Sequence, residues 1–230
     1  MKRPRIITFD CYGTLIDWNA GISQALIAEG ERQGFHTDRE MILDVYHDAE
    51  MQVESRHYRT YREILGLLEK EIATQLGWEA PASPGYLADS LPSWQPFVDT
   101  NRSLERLGAM GFELGVLSNI DDELLAGTRR HFTVDFDLLI TAQQLRSYKP
   151  ATPHFERALE LYRGDHAAIL HIAQSHFHDI QPAVYMGINT IWVNRLSEKV
   201  TDNFYSPTIE VIDLDRAVDW VEQKFSSDTG

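Results

Sequence analysis

The chain of 230 residues carries 21 Lys+Arg against 35 Asp+Glu, a formal net charge of −14. Beyond Lys2, Arg3 and Arg5 no stretch concentrates basic side chains, which excludes a protein built to neutralise nucleic-acid phosphates. With 43% hydrophobic and 24% charged residues, the composition is that of a folded protein, long enough for one large core plus a smaller satellite.

The first apolar run, residues 6–9, follows the basic start and halts at Asp10. It is too short for a secretory h-region, and no run approaches the ~18 apolar residues of a membrane helix. Cys11 is the sole cysteine, so no intrachain disulfide is available. A cytoplasmic protein with no membrane contact is the expectation. Residues 19–95 then read as helical. Met41, Ile42, Val45, Tyr46, Ala49 and Val53 share one side of a helical wheel, and a second helix over Tyr61–Leu76 ends at Gly77. Pro81, Pro84, Pro92 and Pro96 lead out of this insert, with hinges expected near Asp17 and residues 93–97. From about residue 100 the pattern alternates. Helices are predicted over 101–110, 121–131, 153–163, 178–186 and 214–225, and strands over 114–117, 138–141, 168–173, 190–193 and 209–212. Gly111, Gly164 and Gly187 serve as helix stops. This is the signature of a doubly wound parallel sheet. Only residues 226–230 are expected to be disordered.

Ligands in open α/β sheets bind outside the carboxyl ends of the strands. Those ends carry Asp10-Cys11-Tyr12-Gly13-Thr14-Leu15, then Ser118-Asn119, then Ser147-Tyr148-Lys149-Pro150, then Gln174-Ser175-His176-Phe177-His178-Asp179. Singly, each has a plain structural reading: Asp10 as a turn former, Ser118-Asn119 as a helix cap, Lys149 as a solvated loop residue, Asp179 as a helix-start charge. Together they suit covalent catalysis. A partly desolvated carboxylate, Asp10, oriented by the Lys149 ammonium, is an activated nucleophile. Thr14, Ser118 and the backbone amides at Gly13 can hold a small anionic substrate, and Asp179 can orient or deprotonate a hydrolytic water.

Phe9-Asp10-Cys11-Tyr12-Gly13-Thr14-Leu15, Leu117-Ser118-Asn119, Tyr148-Lys149-Pro150 and Asp179, in this order and spacing, resemble the haloacid dehalogenase superfamily, in particular its L-2-haloacid dehalogenase (type II) branch. The resemblance implies a Rossmann-like doubly wound core over residues 1–17 and 97–230, with an inserted helical cap over 18–96. It implies Asp10 as the nucleophile, steadied by Lys149, and Asp179 as the residue that directs water onto the resulting ester. Most superfamily members are magnesium-dependent phosphatases with further acids at the positions of Tyr12 and Gln174. Their absence here leaves few hard anionic ligands for Mg2+, so no metal or other cofactor is expected. Displacement of halide needs neither a metal nor a proton donor, and the implied activity is hydrolysis of small 2-haloacids to 2-hydroxy acids. Tyr12, Thr14, Ser118, Asn119, Ser175 and His176 are the substrate-contacting candidates, with His47 where the branch carries a cap arginine. Phe155 and His176 stand where the branch has a supporting Tyr and Asn. The neighbouring His171, His176 and His178 invite a metal reading, but alternation along the strand turns His171 away from Ile172, and no metal site is expected. Trp18 is read as packing against the cap. Two other readings stay open: a magnesium-dependent phosphatase of unusual motif pattern, and a non-catalytic binding protein on the same fold. Pairing of apolar cap surfaces into a homodimer is a further expectation.

Overall fold

Isoleucine-rich runs, buried on both faces, form the centre of the sheet, as a parallel sheet covered by helices requires. A computed structural model describes residues 1–53, 57–79, 81, 83–200 and 204–225. The expected disorder of residues 226–230 lies outside the described residues. Strands β1 (Ile6–Phe9), β2 (Glu113–Ser118), β3 (Leu138–Thr141), β4 (Ile169–Ala173), β5 (Asn189–Val193) and β6 (Ile209–Val211) make a parallel six-stranded sheet in the order β3-β2-β1-β4-β5-β6. Thr8 on β1 stands in register with His171 on β4. The strand order reverses at the β1–β4 pair, the place where a doubly wound sheet opens a crevice.

The helices are α1 (Trp18–Arg32), α2 (Arg39–Val53), α3 (Tyr61–Leu76), α4 (Tyr86–Ser90), α5 (Thr100–Ala109), α6 (Asp122–Thr128), α7 (Ala142–Leu145), α8 (Pro153–Leu161), α9 (Gln181–Tyr185) and α10 (Leu214–Phe225). The chain divides into two units: the sheet unit (Met1–Ile16, Pro96–Asn119, His131–Gly230) and a helical unit (Asp17–Gln95, Ile120–Arg130). In the sheet unit, Phe155, Ala158 and Leu159 of α8 pack with Ile6, Leu117, Ile140 and Ile169 of the strands.

The helical unit holds one segment that chain order assigns to the core, residues 120–130. Its attachment is electrostatic and steric. The two oxygens of Asp121 accept the backbone N–H groups of Tyr61 and Arg62 at 2.9 Å each, so the start of α3 is capped from 60 residues away. Arg62 reaches Glu123 at 2.8 Å, and Gly127 packs so closely on Pro92 that a Cβ there would lie 2.9 Å from its ring. Thr60 and Glu63 complete the start of α3 as a capping box, and Gly77, at φ 66°, ends it as expected.

A second difference concerns the predicted helix over 178–186. The chain enters a π-helical turn at His176–Ile180, capped by Ser175, before α9. The turn begins earlier because the Ser175 hydroxyl accepts the His178 backbone N–H at 3.1 Å.

Candidate active site

β1 delivers Asp10 to the carboxyl edge of the sheet, where the chain folds back on itself. Gly13 adopts φ 95°, and a Cβ there would stand 3.2 Å from the Gln174 side-chain oxygen, so both backbone conformation and space favour glycine. The turn is closed by Gly13 N–H donating to Ile16 O at 2.9 Å and Leu15 N–H to Cys11 O at 2.8 Å. It brings Thr14 back onto Asp10. The Thr14 hydroxyl donates to Asp10 Oδ2 at 3.0 Å and accepts the Gln174 backbone N–H at 2.9 Å. Arg195 braces the same turn, donating to the Thr14 carbonyl at 3.2 Å and to Asp99 at 2.9 Å while lying 4.0 Å above the Phe97 ring.

Lys149 enters from the loop before α8 and is almost wholly buried, its side chain 1% exposed. Its Nζ donates to Asp10 Oδ1 at 3.0 Å, to Asp179 Oδ1 at 2.6 Å and to the Leu117 carbonyl at the end of β2 at 2.7 Å. All three ammonium hydrogens therefore have acceptors. Its main chain is clamped by Asn119: Lys149 N–H donates to Asn119 Oδ1 at 2.7 Å, and Asn119 Nδ2 donates to the Lys149 carbonyl at 3.0 Å. Sequence reasoning offers Asn119 as a substrate contact; the structure uses its amide to fix the lysine.

Asp179 lies in the π turn, 1% exposed, and its Oδ1 also meets His171 Nε2 at 3.1 Å. Burial acts against its charge, but Lys149 and His171 outweigh it and hold its pKa at about 2. Asp10 is displaced the other way. Burial pushes its carboxyl up, with Lys149 and the Thr14 hydrogen bond opposing and the Asp179 charge adding to the rise. Burial also works against the Lys149 ammonium, yet the two carboxylates raise it above the ordinary lysine range.

The remaining candidates are placed as follows. Ser118 ends β2 with its Oγ buried and without a hydrogen-bond partner among the described residues. His154 of α8 points Nε2 at the Ser118 carbonyl at 3.3 Å, and burial, reinforced by the Lys149 charge, lowers its pKa to about 4. Tyr12 pairs with Ile16 across the turn that follows Asp10. Ser175 caps the π turn rather than pointing to the Asp10 cluster, and the His176 ring packs edge-on against Trp192 with centroids 5.0 Å apart. His47 belongs to α2 of the helical unit, its ring 5.9 Å from that of Trp18 and its Nδ1 3.9 Å from Glu50. Thr8 is the participant that the sequence does not flag, and His171, weighed there only as a metal ligand, instead contacts Asp179. The available signal is the appearance of two polar residues, Thr8 and His171, inside apolar strands.

The arrangement also bears on a divalent cation. Between the two carboxylates sits the Lys149 ammonium, and Gln174, where a phosphatase carries a metal-binding acid, donates its amide to Glu198 at 2.6 Å. Among the described residues no group of three or more His, Cys, Asp and Glu side chains is arranged to hold a metal ion. The donor set is a poor match for Mg2+, which takes hard oxygen ligands in octahedral array, because both carboxylates are already paired with the Lys149 ammonium.

A doubly wound parallel sheet with a buried Asp–Lys–Asp cluster at its switch point defines an α/β protein with a candidate catalytic site at the carboxyl edge of the sheet. The family model for haloacid dehalogenase-like hydrolases matches residues 4–187, and the chain belongs to that family. The (S)-2-haloacid dehalogenase of Pseudomonas sp. (strain YL) is 26% identical over 230 residues, covering 94% of each chain. Among solved structures, a dehalogenase with an intermediate complex superposes with a TM-score of 0.82 at 18% identity, over 96% of this chain and 98% of that one. L-2-haloacid dehalogenase from Xanthobacter autotrophicus with chloropropionic acid covalently bound gives 0.78 at 19% identity, over 95% and 98%. Among the described residues no helix is long and apolar enough to cross a membrane.

Proposed function

We propose that the protein hydrolyses small 2-haloacids to 2-hydroxy acids through an ester on Asp10, without a metal ion. The observation that carries this reading is the Lys149 ammonium held between Asp10 and Asp179 at 3.0 and 2.6 Å, in a site where Tyr12 and Gln174 replace the acids a metal-dependent phosphatase needs. The dehalogenases among its relatives support it.

An oxygen of Asp10 attacks the halogen-bearing carbon; the new C–O bond forms as the carbon–halogen bond breaks, and the halide leaves with the bonding pair. No proton is required by the leaving group, which suits a site with a tyrosine where a general acid would stand. Burial raises the energy of the Asp10 anion, and Lys149 and Thr14 aim it. Ser118, whose Oγ is buried and without a hydrogen-bond partner among the described residues, receives the substrate carboxylate. Water then attacks the carbonyl carbon of the ester, the alkoxide oxygen leaves as the hydroxyl of the product, and one proton passes to solvent. Asp179, held at about 2, is a weak proton acceptor; it orients water and holds Lys149, whose charge stabilises the developing oxyanion.

Halide release from 2-chloropropionate and haloacetates by EDTA-treated protein tests the reading. Turnover that persists in EDTA and vanishes in Asp10→Asn supports it. No release from any haloacid by folded protein, or turnover of an aryl phosphate that depends on added magnesium, overturns it.

A further inference from the structure

His171 is one of the most completely enclosed polar side chains of the sheet, 0% exposed in the middle of β4. Thr8 is its register partner on β1, and because side chains two apart on a strand share a face, Thr8, Asp10 and His171 lie on one side of the sheet. Thr8 Oγ1 is 2.9 Å from His171 Nδ1, and His171 Nε2 is 3.1 Å from Asp179 Oδ1. The Phe155 ring stands edge-on to the imidazole at 5.1 Å and 88°, which fixes its plane. An ionised carboxylate can only accept, so Nε2 carries the hydrogen, and the Thr8 hydroxyl is the partner of Nδ1. A continuous hydrogen-bonded chain results: Thr8 with His171, His171 to Asp179, Lys149 to both Asp179 and Asp10, Thr14 to Asp10.

We propose that His171 is a positioning residue, whose Nε2–H, with Nδ1 held by the Thr8 hydroxyl, anchors Asp179 and thereby keeps the Lys149 ammonium poised between Asp179 and Asp10. The inference deepens the aspartyl-ester reading and rests on it for its catalytic meaning. Without the imidazole donor, Asp179 is stabilised by Lys149 alone. The ammonium is drawn more fully to Asp179, and the first proton taken up by the cluster binds at higher pH. The titratable and charged groups facing the cluster are Asp10 and Cys11 after β1, Lys149 before α8, His154 on α8, His171 on β4 and Asp179 in the π turn. His154 also feels the charge of His171, so the comparison of His171→Phe with His171→Gln, which differ in the N–H, reports the lost hydrogen bond.

The test compares wild type with His171→Phe, which keeps an aromatic ring against Phe155 but no donor, and His171→Gln, which restores an N–H. Carboxylate carbon-13 NMR on aspartate-labelled protein, with the Asp10 signal assigned by its loss in Asp10→Asn, needs no substrate. The expected result is a first protonation midpoint about 1 pH unit higher in His171→Phe and close to wild type in His171→Gln. The acid limb of kcat/KM moves by the same amount, with kcat affected more than KM. Imidazole nitrogen-15 NMR of the wild type adds a measurement free of any folding defect, with His171 protonated on Nε2 as the expected state. An unmoved midpoint in folded His171→Phe, equal displacement in both variants, or an unprotonated Nε2 overturns the proposal. A wild type that releases no halide removes the dehalogenase reading instead, while the NMR midpoints and the protonation state of Nε2 still decide what His171 does.

Discussion

Replacing Lys149 by Met keeps an apolar stem of similar length and deletes the ammonium, and with it the bonds of 3.0 Å to Asp10, 2.6 Å to Asp179 and 2.7 Å to the Leu117 carbonyl. Two buried carboxylates are left without their shared counter-ion. Removing one member of a buried ion pair costs about 3–5 kcal/mol, and that is the expected loss for Lys149→Met. The pH dependence gives a sharper signature. Two carboxylates crowded in one dry site do not both remain ionised, so the folded variant holds a proton that the unfolded chain has released above the ordinary carboxylate range. Stability therefore falls as pH rises, by up to about 1.4 kcal/mol per pH unit, until the pair is forced to ionise. Adding Asp179→Asn removes one of the two charges and should return about 2 kcal/mol and flatten the slope, without restoring turnover. Urea unfolding of the three proteins between about pH 5 and about pH 8 measures all of this. A Lys149→Met variant that loses less than about 1 kcal/mol, with the slope of the wild type, would refute the picture of a charge-balanced buried cluster.

Thr14→Val deletes the donor to Asp10 Oδ2 and strands the Gln174 N–H; urea unfolding should show a loss of about 1–3 kcal/mol, and the acid limb of kcat/KM should move to higher pH because that hydrogen bond lowers the Asp10 pKa. Asn119→Ala releases the main chain of Lys149 at both its N–H and its carbonyl, and steady-state kinetics should give a kcat lower by about 10–100-fold with KM changed far less. Asp10→Asn should abolish turnover yet raise stability by about 0.5–2 kcal/mol near neutral pH. The sign follows from the raised Asp10 pKa: its ionised form weakens the fold above the ordinary aspartate range, and the advantage of Asn disappears as pH falls below that range. Thermal unfolding at the two extremes of pH reads that change.

Much of this was legible from residue patterns. β-branched runs bounded by glycine stops give the parallel sheet, and the chemistry at four strand ends picks out Asp10, Lys149 and Asp179, which the structure joins through one ammonium. Other features depend on partners distant in sequence. Asp121 looks like the start of its own helix, and only folding reveals that its carboxylate caps α3 at Tyr61 and Arg62. Asn119 and Ser175 have the side chains of substrate contacts, but local geometry spends them on the Lys149 main chain and on the π turn. His171 sits in an apolar strand, where a histidine reads as core; its role depends on Thr8 arriving in register from β1 and Asp179 folding back from the turn.

The central claim is that Asp10 becomes esterified and is regenerated by water attacking its own carbonyl. A single turnover with excess enzyme and 2-chloropropionate in oxygen-18 water, followed by mass spectrometry of the peptide containing Asp10, tests it most directly. The account predicts one oxygen-18 in the Asp10 carboxylate and none in the hydroxyl of the product. Label found in the product hydroxyl, with Asp10 unlabelled, would mean that water attacks the substrate itself and would contradict the account.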